Sequence, residues 1–157
     1  MGSRSKIDLA YVAGFLDGDG SLMLQIKKRK DGKKWRFMAT ICFYQDSRHD
    51  KGLHWIKKIL EIGYISKRND GMTELRINGF LQIANILNEL IPHIRFKKVQ
   101  ARALLEACEI LSDRARNNQK TNLIKLVGLI LTIQNDNYVA KRKKTKEELL
   151  SILGLTP

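Results

Sequence analysis

Gly14-Phe15-Leu16-Asp17-Gly18-Asp19-Gly20-Ser21 closes one apolar run and opens another. Two acids stand among three glycines. Glycine lets backbones approach closely, and a carboxylate holds a cation. Upstream, Ser5-Lys6-Ile7-Asp8 reads as a helix capping box. Residues 7–16 are then apolar nearly all round. Leu9, Val12, Ala13 and Leu16 share one helical stripe, and Ile7, Tyr11, Gly14 and Phe15 share another. A helix apolar on two faces is buried on two sides. One side is its own core, and the second requires a further partner. Asp17 and Asp19 fall where that helix ends, and acids there oppose the macrodipole. A cation is expected to compensate them, and a hard divalent metal is preferred.

Downstream the pattern changes period. Residues 21–44 alternate around an Asp31-Gly32 turn, which predicts a β-hairpin. A second hairpin is expected at 63–68 and 72–78, turning at Asn69-Asp70-Gly71. Helices are expected at about 47–60, 80–90, 95–111 and 120–134. A last short helix is capped by Thr145-Lys146-Glu147-Glu148. The order is α-β-β-α-β-β-α followed by extra helices, an α+β fold. One face of the strands is apolar (Leu22, Leu24, Ile26, Phe37, Ala39, Ile41, Phe43, Leu75, Ile77). The other carries Gln25, Lys27, Arg29, Arg36, Thr40, Ser66, Arg68, Glu74, Arg76 and Asn78. Such side chains hydrogen-bond base edges and phosphates.

The charge points the same way. The 157 residues carry a net +13. Lys27 to Arg36 holds seven bases and one acid, Asp31. A surface of this kind favours a polyanion, most often nucleic acid. No uninterrupted apolar run, neither Leu9 to Leu16 nor Leu126 to Leu131, is long enough to span a bilayer. Met1 to Lys6 is polar with no apolar segment of a secretory signal, so an intracellular setting is expected. Two cysteines, Cys42 and Cys108, make no disulfide or metal framework. Asp17-Gly18-Asp19-Gly20-Ser21 begins like a calcium loop. Leu22 stands where an EF-hand needs glycine and Lys28 where it needs glutamate, so that reading fails. No Walker A loop or HExxH motif is present.

Leu9 to Ser21, LAYVAGFLDGDGS, resembles the signature of the LAGLIDADG homing endonucleases, in their single-motif, homodimeric branch. The αββαββα order, Gln45 ending the second strand, and Pro92 to Ala101 (PHIRFKKVQA) extend the resemblance to about residues 6–150. It implies a single domain over 1–157, with a core at about 6–111, a DNA-binding antiparallel sheet saddle and a C-terminal helical extension at about 119–153. Leu126-Val127-Gly128-Leu129-Ile130 mimics a second motif, but no Asp-Gly-Asp follows, so it is read as a core helix.

The resemblance further implies what the second helix face does. Two signature helices would pack together through Tyr11, Ala13, Gly14 and Phe15, with Ala10 nearby. The Asp19 carboxylates and Gly18 carbonyls would hold Mg²⁺, with Mn²⁺ able to substitute. Asp19, Gln45 and Lys97 would form the catalytic set. The third residue of the water pocket is open between His49, Arg48 and Lys51. Gln25, Lys27, Arg29, Arg36, Thr40, Ser66, Arg68 and Arg76 would read double-stranded DNA, and Lys141 and Lys143 would add phosphate contacts. The expected activity is intron homing, by cutting both strands of a long pseudo-palindromic site to leave 3′ overhangs. The alternative is a non-cleaving RNA maturase. No membrane and no small-molecule substrate are expected. A chloroplast, a mitochondrion or a prokaryotic cytoplasm would each suit such a protein.

Overall fold

The computed structural model describes residues 4–137 and 143–155. Among them the chain runs α1 (Lys6–Asp19), β1 (Gly20–Lys28), β2 (Trp35–Asp46), α2 (Lys51–Leu60), β3 (Tyr64–Lys67) and β4 (Met72–Asn78). Then come α3 (Phe80–Leu90), α4 (Lys98–Ser112), α5 (Lys120–Asp136) and α6 (Lys146–Ile152). The strands form one antiparallel sheet in the order β1-β2-β4-β3. Register is set by the two hairpin turns. Gly32 and Gly71 take positive φ (71° and 82°), as tight turns require, and Asp31 and Asp70 accept amides two residues ahead.

The pairing Leu22–Ile41–Ile77 across three strands puts the apolar set on one face. That face packs on Leu16 of α1, Leu53 and Ile56 of α2, Ile83 and Leu87 of α3 and Leu104 of α4, all fully buried. Leu126, Val127 and Ile130 of α5 and Leu149 of α6 join the same cluster. The second motif-like stretch is therefore a core helix, as expected. No helix among the described residues is long and apolar enough to cross a membrane.

Three local expectations change. Ser5 Oγ accepts the Asp8 amide, at 3.5 Å, without the return bond of a capping box. The helix expected from 47 splits into a 3₁₀ turn at Ser47–His49 and α2 from Lys51. There Asp46 accepts the Arg48 amide, and the Ser47 amide goes to the Gly71 carbonyl. Helix α4 starts at Lys98 rather than Arg95, because the amides of Arg95 and Lys97 are taken by a distant carboxylate.

The end of α1 is geometrically tight. A Cβ on Gly20 would lie 2.5 Å from Leu16 Cδ1 and 2.9 Å from the Leu16 carbonyl oxygen. Glycine there allows the chain to pass directly from helix to strand.

Arg4 ties the start of the chain to the far side of the core. Its Nε donates to the Ile59 carbonyl (2.8 Å) and its Nη2 to Leu60 (2.9 Å), filling carbonyls left open where α2 ends. Its Nη1 pairs with Glu89 of α3. Arg4→Ala should lower unfolding stability by about 1.5–3 kcal/mol, the range for hydrogen bonds to a charged group. Urea melts would measure it. A midpoint equal to wild type would show that these bonds contribute nothing net.

Candidate functional site

Two helix ends meet at Asp17. α1 ends at Asp19 with no basic residue in its last turn. α4 begins after Lys97 with no side-chain cap of its own. The two ends serve each other. Asp17 Oδ2 accepts the Arg95 amide (2.8 Å) and Oδ1 the Lys97 amide (3.0 Å). Lys97 Nζ donates to the Leu16 carbonyl (2.9 Å) and the Asp17 carbonyl (2.8 Å). An acid is unfavourable at its own C-terminus and favourable at another helix's N-terminus; the reverse holds for a base. The cation beside Asp17 is therefore the Lys97 ammonium, and of the two acids only the Asp19 carboxylate is left without a bonded partner among the described residues. Lys97 is 7% exposed. Burial pushes its pKa down, and the Asp17 and Asp19 carboxylates oppose that shift.

Asp19 is exposed, and its carboxylate makes no hydrogen bond or ion pair with any described residue. Lys97 occupies the carbonyls of Leu16 and Asp17, and that of Gly18 comes next at the helix end. A free carboxylate beside a helix-end carbonyl is a donor set suited to a hard cation. Within one chain's described residues no three His, Cys, Asp or Glu side chains cluster to hold a metal. A complete site needs donors from elsewhere.

Gln45 lies at the same end of the sheet, since Gly20 pairs with Phe43. It is half-buried, and its Oε1 accepts the Asp46 amide at 2.9 Å. Of the three residues considered for the pocket's third position, Arg48 is bound to Asp46 at 2.6 Å. This pair and its backbone bond hold the Asp46 carboxyl well below the usual carboxylate range. His49 and Lys51 are exposed.

The outer face of α1 is open. A Cβ on Gly14 or Gly18 would meet nothing within 4 Å. Ile7 is 82% and Tyr11 65% exposed, and Tyr11 lies edge-on to Trp55 of α2, with ring centroids 5.3 Å apart. Beside this face is a groove of about 510 Å³ lined by Ala10, Gly14, Asp17, Gly18, Ile94 and Phe96, among others. Two expected interface residues turn inward. Ala13 is fully buried in the chain's own core, so it offers nothing to a second helix. Phe15 is half-buried and leans on Phe43. The reason is helical phase: Ala13 follows Leu9 and Val12 and precedes Leu16, on the buried stripe. Phe96, 77% exposed at the groove's rim, was missed. Its signal was a bulky apolar residue set between Arg95 and Lys97.

The sheet's second face is polar across all four strands. Register places Lys27 opposite Arg36, Gln25 opposite Met38, and Ser66 opposite Glu74. Like charges directly opposite each other are destabilising, so Lys27 and Arg36, both exposed, favour an anionic partner. Arg29 sits exposed at the turn. Arg68, just past β3, pairs with Asp70 at 2.7 Å in solvent, a contact worth little and easily exchanged. Arg76 is held by Glu74 (3.2 Å), which also accepts from the Cys42 thiol (3.8 Å).

Thr40 departs from expectation. It is 1% exposed and donates to Asn78 Oδ1 at 2.9 Å. Its short side chain sits between Met23 on one neighbouring strand and Asn78 on the other, which cover it. Asn78, which alternates with Arg76 along β4, and Tyr64, opposite Arg76 on β3, are exposed on that face in its place. Lys143 is exposed, and Lys141 lies outside the described residues.

An unpaired acid next to a buried ammonium, at the end of a cationic sheet, is chemistry suited to phosphodiesters, and the class it defines is the nuclease. The LAGLIDADG endonuclease family model matches residues 12–111, from α1 to α4, and the chain belongs to that family. It is similar to DNA endonuclease I-CvuI of Chlorella vulgaris, 33% identical over 111 residues, 70% of this chain and 69% of that protein. DNA endonuclease I-CreI of Chlamydomonas reinhardtii is 27% identical over 95% of this chain and 90% of its own. Among solved structures, I-CvuI bound to its target in the presence of 2 mM Ca superposes with a TM-score of 0.83 at 28% identity, covering 97% of this chain and 98% of that one. I-CvuI on the I-CreI target with 2 mM Mg, its DNA not cleaved, gives 0.82 at 28% identity, covering 95% and 96%. The chain is thus a homing endonuclease by family, and the fold expected from sequence is the one it has.

Proposed function

We propose that two copies of this chain form a Mg²⁺-dependent endonuclease that cuts both strands of a long pseudo-palindromic DNA site, leaving 3′ overhangs. The observation that carries it is the end of α1, where one free carboxylate, Asp19, adjoins a helix face whose glycines have no use within the chain. Each glycine in a helix interior costs about 1 kcal/mol relative to alanine. Nothing near Gly14 or Gly18 requires that cost in a single chain. A second α1 approaching closely explains it and brings the two Asp19 carboxylates together. Asp19 and the Gly18 carbonyl of each chain would hold Mg²⁺, which supplies positive charge against the phosphates and lowers the pKa of bound water.

The chain's own groups do the rest. Lys97 presents a fixed ammonium beside Asp19, placing positive charge where a phosphate would sit. Gln45 offers an amide to orient water. Gln25, Lys27, Arg29, Arg36, Ser66, Arg68, Arg76 and Asn78 face base edges and phosphates. Arg76, oriented by Glu74, fits a guanine edge. Lys141 and Lys143 add phosphate contacts.

The test is selection of cleaved sites from a randomised DNA library with Mg²⁺. A single long site with inverted half-sites should emerge, and excess chelator should abolish cutting. Affinity for that site should fall almost linearly in log salt. Lys143→Ala should reduce that slope by roughly 1 for every sequence, whereas Arg76→Ala should relax specificity at particular base pairs. Cutting in chelator, or a selected site without two-fold character, would overturn the reading.

A further inference from the structure

Asp17 has no part in the chemistry proposed above. Both of its carboxylate oxygens are committed to backbone amides, of Arg95 and Lys97. These bonds fix the turn that leads into α4. The same turn delivers the Lys97 side chain to the end of α1, where its ammonium meets the carbonyls of Leu16 and Asp17. An ammonium has three N–H donors. Two are used here, and the third has no acceptor among the described residues. A buried, flexible lysine with a single free donor is useful only if its stem is held, because four rotatable bonds otherwise spread the charge over several positions.

We propose that Asp17 is a positioning residue for Lys97: its carboxylate grips the Arg95 and Lys97 amides so that the third ammonium N–H points at the cleavage site. The proposal rests on Lys97 belonging to that site. Two rival roles for Asp17 are less well placed. As a metal ligand it would share its oxygens between the cation and the two amides, weakening the bonds that fix the turn into α4. As a fold brace alone, it would not require Lys97 to return the contact to the same turn of α1. The reciprocity is the distinguishing feature. Asp17 holds the backbone of Lys97, and Lys97 holds the backbone of Asp17, across 80 residues of sequence.

Single-turnover cleavage of the selected site in Mg²⁺ should be compared for wild type, Asp17→Asn, Lys97→Met and the double variant. DNA affinity in Ca²⁺ and amide hydrogen exchange of residues 94–99 in the DNA-free protein accompany it. Asp17→Asn should slow cleavage at least about tenfold while affinity stays within about twofold, and the double variant should be no slower than Lys97→Met, since residues acting through one group are not additive. Exchange at 94–99 should quicken in Asp17→Asn and not in Lys97→Met alone. Where Asp17→Asn does not fold, Asp17→Ser, which keeps one acceptor, carries the same outcomes. Wild-type cleavage by Asp17→Asn, or a double variant that loses the product of both single losses, overturns the positioning role. Wild-type cleavage by Lys97→Met removes Lys97 from the site altogether, and the proposal with it.

Discussion

Asp19→Asn will leave the protein folded and bound to its target, and it will no longer cut. The substitution keeps size and shape and removes the negative charge that a hard cation requires. No hydrogen bond or ion pair among the described residues depends on that charge, since the carboxylate is exposed and bonded to none of them; it acts only through space, helping the Lys97 ammonium stay charged. Cleavage should fall by at least about a thousandfold, the scale of losing roughly 4 kcal/mol of transition-state stabilisation. Folding stability should hold or rise slightly, because two carboxylates brought together at a dimer axis repel when no metal lies between them. Ca²⁺ should support binding without cutting, since it prefers a looser, higher coordination than Mg²⁺. A time course on supercoiled plasmid carrying the selected site decides the matter, and equal rates for the two proteins would remove Asp19 from the chemistry.

Gly14→Leu should separate stability from assembly. Within one chain the new side chain enters open space, because a Cβ there has no neighbour within 4 Å. Leucine is also the better helix former, by about 0.7–1 kcal/mol. The isolated chain should therefore melt slightly higher than wild type at equal dilution. At micromolar concentration wild type should sediment as a pair of 18.1 kDa chains. Gly14→Leu should sediment as one, because a bulky residue holds the two α1 helices apart. Cutting of both strands should be lost with the pair. Gly14→Ala, which adds a single methyl, should weaken the dimer less. A Gly14→Leu protein that still sediments as a dimer and still cuts would place the interface elsewhere. A variant that unfolds would show that Gly14 serves the chain's own core.

Much of this protein is legible along the chain, because the physics involved is local. Alternation with period two marks both hairpins, and Asp31-Gly32 and Asp70-Gly71 supply the turns that fix register. Leu9, Val12 and Leu16 recur at helical spacing, and Pro92 limits α3. Asp19 is conspicuous because an acid at a helix C-terminus has no intrinsic reason to be there. What the sequence could not decide is which surface a residue joins once both faces of an element are occupied. Ala13 and Gly14 are neighbours of similar size, yet one is sealed in the core and the other faces outward. A 100° step of helix separates them, and only packing shows which stripe the core claims. Thr40 has the parity of a DNA reader but is covered, because its exposure depends on the length of side chains on the two neighbouring strands. The family resemblance singles out Lys97, but what holds it appears only when α4 folds back on α1. Its partner then proves to be a helix end 80 residues earlier. Compensation between the ends of two distant helices depends on where the chain returns in space, and that is a property of the tertiary fold alone.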